Sequence, residues 1–61
     1  MLSWREALVR EVLQKNGGVM TEAEIYEHVK EEMEQVAVYS ALMNLEALNM
    51  IHPVTNRSWR A

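Results

Sequence analysis

Apolar residues recur along this chain in three helix-like stretches and one short strand-like stretch near its end. Leu8, Val9, Val12 and Leu13 fall at spacings of three and four, so a helix gathers them on one face, and Trp4, one turn earlier, extends it. That helix opens with a capping box: the Ser3 side chain accepts from an amide three residues on, and Glu6 returns a bond. Asn16-Gly17-Gly18 ends it, because glycine tolerates the left-handed backbone of a helix C-terminus. Val19-Met20 is too short for its pattern to assign an element. Thr21-Glu22-Ala23-Glu24 is a second capping box, with Met20 and Ile25 placed as a hydrophobic staple. Ile25, Tyr26, Val29 and Met33 form the buried stripe of this second helix, which weakens near Glu32–Glu34, where like charges crowd. The period resumes from about Gln35 to Leu48 through Val38, Leu42, Leu45 and Leu48, and Asn49 suits the residue that ends a helix. Met50–Thr55 then reads as a strand, at a sheet edge because Pro53 has no amide hydrogen to donate. Asn56-Arg57 is the turn, and Ser58–Ala61 returns with Trp59 inward and Ser58 and Arg60 outward.

The expected core is Leu8, Val12, Ile25, Val29, Val38, Leu42, Leu45, Ile51 and Trp59, with Trp4 and Trp59 closing its two ends. Glu6 with Arg10 and Glu11 with Lys15 are opposite charges four apart, acid first, the favourable order for a helix pair. The fold class this predicts is mainly α with a small β-hairpin, in one domain spanning 1–61. A chain of this size buries only about 60% of its unfolded surface, so its margin of stability is small.

Composition excludes more than it selects. The 61 residues include no cysteine, so neither a disulfide nor a thiolate metal site supports the fold. No apolar run approaches the roughly 20 residues of a membrane span, and the first residues lack the apolar block of a signal peptide. A soluble, cytoplasmic protein is the expectation. Enzyme chemistry is not expected: there is no Asp, Gly17-Gly18 is a helix stop rather than a phosphate loop, and His28 and His52 are the only imidazoles. His28 stands four residues after Glu24, a spacing more often solvated than metal-binding. No cofactor and no metal are therefore expected.

Three segments resemble the winged-helix DNA-binding domains. Met20-Thr21-Glu22-Ala23-Glu24-Ile25-Tyr26 resembles the start of that family's second helix. Ala37-Val38-Tyr39-Ser40-Ala41-Leu42-Met43-Asn44-Leu45-Glu46 resembles the third helix of ferric-uptake-type regulators. Asn49-Met50-Ile51-His52 stands where many winged helices step into the wing through Gly-Leu-Ile. The resemblance implies a three-helix winged helix-turn-helix that binds double-stranded DNA in transcription regulation, or as an accessory protein on nucleic acid. Helix three would enter the major groove and the wing would rest on phosphates. Gln35, Ala37, Tyr39, Ser40 and Asn44 would then face bases or phosphates, and Arg57 and Arg60 would serve the wing. Ser40 departs from the pattern, standing where such regulators often carry Arg.

Charge favours a different partner. No Lys or Arg occurs from Glu31 to Asn56, whereas duplex affinity comes largely from neutralised phosphates. The alternative is a winged-helix protein interaction module, a subunit, adaptor or inhibitor, that does not bind DNA. Its interface would be Val36, Tyr39, Met43 and Ala47, a stripe at helical spacing. Self-association as a homodimer is one form of it. The two readings turn on whether Tyr39 and Met43 face out or complete the core.

Overall fold

The computed structural model describes every residue, Met1–Ala61. Three helices, α1 (Trp4–Asn16), α2 (Glu22–Val29) and α3 (Gln35–Ala47), are accompanied by three short strands, β1 (Met20–Thr21), β2 (His52–Thr55) and β3 (Ser58–Arg60). The strands form one antiparallel sheet in the order β1-β3-β2. β1, placed in the chain between α1 and α2, thus ties the C-terminal hairpin back onto the helices. None of the helices is long and apolar enough to cross a membrane.

Each helix begins and ends where its local chemistry directs. Both capping boxes form: Glu6 N donates to Ser3 Oγ and Ser3 N to Glu6 Oε1, and the same reciprocal pair joins Thr21 and Glu24. Met20 and Ile25, on either side of the second box, are both buried, as a staple requires. Gly17 stops α1 at φ 69°. Asn49 stops α3 at φ 58°, with Asn49 N donating to Glu46 O and Met50 N to Leu45 O, so two of the last turn's orphan carbonyls are satisfied. Glu34, the N-cap of α3, makes no side-chain capping bond.

The core gathers Val9, Leu13, Met20, Ile25, Val29, Met33, Val38, Ala41, Leu42, Leu45, Ile51 and Trp59. Seven of the nine expected core residues belong to it. Leu8 and Val12 do not: they flank it half-buried, because α1 turns Val9 and Leu13 inward, one residue further along. Trp4 is exposed rather than an end-cap of the core, its ring covered by the Arg5 guanidinium at 4.5 Å. Leu48 is exposed too, since α3 ends at Ala47 before the period reaches it.

The hairpin also departs from simple alternation. Trp59 is buried between Met20 of β1 and Pro53 of β2, and its indole Nε1 donates to Glu46 Oε1 at 3.0 Å. Ser58 is buried as well, although strict alternation turns it outward. It lies on the central strand, paired with Thr21 on one side and Thr55 on the other, and its hydroxyl meets the Thr55 hydroxyl at 2.8 Å, beside a β2 bulge where the register shifts between Pro53 and Thr55. β2 lies at the sheet edge, where Pro53 costs no ladder bond.

Candidate interaction surface

Val38, Ala41, Leu42 and Leu45 turn α3 onto the core and so fix the direction of every other side chain on it. At about 100° per residue, three further faces follow. Ala37 and Asn44 lean toward α1, Gln35, Tyr39 and Glu46 lean toward the hairpin, and Val36, Ser40, Met43 and Ala47 point away from the core. Side-chain bonds agree with this division. Asn44 Nδ2 donates to Glu6 Oε2 on α1 at 2.7 Å, and Glu46 Oε1 accepts from Trp59 Nε1 in the hairpin at 3.0 Å; Gln35, in the first turn, donates from Nε2 to Glu22 Oε2 on α2 at 3.4 Å.

The outward face is apolar and open. Val36 is 67% exposed and Tyr39 48%, Ser40 and Ala47 are exposed, and Met43 is half-buried against the core. No charged residue occurs from Gln35 to Leu45. Tyr39 is therefore exposed where this face meets the hairpin side, and Met43 divides itself between surface and core.

Beside this face lies an open groove of about 570 Å³ between the first turn of α2, the start of α3 and the Asn56–Arg57 turn. Glu22, Gln35, Tyr39 and Arg57 line it. Helical and strand periodicity do not show such a groove, because it arises where three separate element ends meet. Arg57 N–H donates to Thr55 Oγ1, and the Arg57 carbonyl accepts from Glu22 N, which fixes the turn against α2.

The residues expected to act together on DNA do not all converge. Gln35, Tyr39 and Arg57 share the groove, and Ser40 lies on the adjoining open face. Ala37 is half-buried, and Asn44 is engaged with Glu6 on the α1 side. Arg60 lines a separate depression with Leu13, Gly17 and Gly18, so the two hairpin arginines do not form one patch. Glu6 answers Asn44 and Ser3 rather than Arg10, and the Arg10 Nε is buried without a partner. The Ser3 backbone bond first, and the Asn44 bond second, hold the Glu6 carboxyl below its ordinary pKa. Glu11 and Lys15 do pair, at 2.9 Å. Glu24, four residues before His28, is committed to its capping box.

Charge is segregated along the chain. From Glu22 to Ala47 seven glutamates face one lysine, a net −6, and elsewhere five bases face two glutamates, a net +3, giving the overall −3. Lys30 is bonded to Glu27, which raises its pKa. The surface around α3 is thus apolar at its centre and anionic at its N-terminal border.

No protein-family model, curated protein or solved structure matches the chain.

Proposed function

We propose that this chain is a winged helix-turn-helix module whose outward α3 face binds another protein. Support for the winged-helix assignment comes from the order α1–β1–α2–α3–β2–β3, with β1 paired to the second strand of the hairpin. A single observation carries the protein reading: Val36 and Tyr39 stand exposed on a face with no charge of its own, beside an acidic α2. Such a face gains nothing from phosphate, but burial returns about 25 cal/mol for each Å² of apolar surface removed from water. Tyr39 is the natural anchor, because aromatic residues dominate interface energetics. The glutamates at the border set the orientation and speed of encounter more than the affinity.

Duplex DNA is the second reading, favoured by the groove that brings Gln35, Tyr39 and Arg57 together. Gln35 is suited to adenine and Arg57 to phosphate. Arg57 is the one base among the groove's residues, and Glu22 lies in the same groove. Phosphate attraction of that size gives weak binding at physiological salt.

A photo-crosslinking side chain placed at position 36 separates the readings in expressing cells. The protein reading expects adducts that survive nuclease and disappear with protease. Adducts that nuclease releases would overturn it.

A further inference from the structure

The charges that the fold leaves unanswered narrow the choice of partner. Two ion pairs form, Lys15 with Glu11 and Lys30 with Glu27. Glu6 and Glu24 serve their caps, Glu46 accepts from Trp59, and Glu22 accepts from Gln35. Glu31, Glu32 and Glu34 have no side-chain bond, and all three lie in the turn that leads into α3. Arg5, Arg10, Arg57 and Arg60 pair with no glutamate, and all four lie on α1 or the hairpin, Arg60 donating to Ala61 O. One of these cations adjoins an exposed aromatic: Trp4 is 52% exposed, with the Arg5 guanidinium over its ring. The Trp4–Arg5 corner is apolar and cationic, whereas the α3 face is apolar with an anionic border. They complement each other in both respects.

We infer that the occupant of the α3 face is a second copy of this chain, which lays its Trp4–Arg5 corner on Val36 and Tyr39 with Arg5 directed at the Glu31–Glu34 turn. The inference rests on the protein-contact reading above. Donor and acceptor are different patches and every copy offers both, so two copies either exchange both contacts about a two-fold axis or add head to tail until a ring closes. Packing α3 against α3 would bury the stripe but leave the Trp4–Arg5 corner unanswered. Charge supplies the direction of approach, and the two aromatic side chains supply the buried area.

Sedimentation of the full chain and two face variants tests this. The parent should gain mass with concentration, and raising the salt to about 1 M, where the screening length falls to about 3 Å, should weaken that gain. Trp4→Ala with Arg5→Glu removes the donor patch, and Val36→Glu with Tyr39→Glu removes the acceptor patch. Each variant alone should be monomeric, with helical circular dichroism and a melt like the parent's. Val36→Glu alone supplies the acceptor variant should the double one not fold. Mixed in equal amounts, the two variants should form a dimer that grows no further, because one intact donor then meets one intact acceptor. A parent that stays monomeric, a donor variant that associates like the parent, or a mixture that stays monomeric overturns the inference. The crosslink at position 36 tells which reading has failed. Protein adducts of another mass would leave the protein-contact reading standing, and nuclease-sensitive adducts would remove both.

Discussion

Leu42→Ala and Val36→Ala, six residues apart on α3, together determine which face of that helix is packed. Leu42 is fully buried in the core, and Val36 is 67% exposed. Removing a buried Leu side chain costs about 2–5 kcal/mol, through lost transfer energy and the cavity left behind. At about 0.05–0.15 kcal/mol per residue, a domain of 61 residues holds a total of about 3–9 kcal/mol. Leu42→Ala should therefore remove about half of the stability or unfold the chain. Val36→Ala removes little buried surface and exchanges a β-branched residue for the best helix former, so stability should stay within about 0.5 kcal/mol or rise slightly. Urea denaturation measures both, followed by fluorescence of the buried Trp59 and by far-ultraviolet circular dichroism. Coincident transitions and an unchanged m-value would license the comparison. Similar losses in the two variants would mean that α3 is rotated from the position described, and the outward face would lose its foundation.

Thr21→Ala breaks the capping box that begins α2 and should cost about 0.5–2 kcal/mol by thermal or urea unfolding. Gly17→Ala should cost roughly 1–2 kcal/mol, and the loss is conformational, because an added Cβ meets nothing within 4 Å while φ stays at 69°. The pKa of Glu6 is depressed in the fold, so its contribution to stability is present above the unfolded carboxyl pKa and is lost as pH falls through the lower folded value. Asn44→Ala should move the Glu6 carboxyl titration, followed by NMR, part of the way back up. The Ser3 bond, the larger cause, should keep it below the ordinary value.

Local signals carried much of the architecture. Ser3, Thr21, Gly17 and Asn49 each act within a few residues of the chain, so both capping boxes and both left-handed stops were legible. The phase of α1 was less so. Leu8, Val9, Val12 and Leu13 form adjacent pairs, and periodicity alone does not say which member of each pair meets the partner helices. The burial of Ser58 was hidden for a different reason: it depends on β3 being the central strand and on a cross-turn contact with the Thr55 hydroxyl, neither of which alternation reports. Glu6 had two plausible partners nearby in the chain, Ser3 and Arg10, of which Ser3 is engaged. Arg10, four residues away, was visible, whereas Asn44, on another helix, was not. The apolar α3 stripe could be read from spacing, but its exposure could not. The groove depends on the meeting of α2, α3 and the Asn56–Arg57 turn, which no local pattern encodes.

The claim that α3 meets protein rather than DNA is tested most directly by titrating the full chain with mixed-sequence and defined duplexes across a range of salt concentrations. At physiological salt the account predicts binding no tighter than the non-specific range of about 10⁻⁴–10⁻⁶ M, without sequence preference. A specific site bound at about 10⁻⁸ M or tighter, with affinity lost on Arg57→Ala and sequence preference lost on Gln35→Ala, would contradict it.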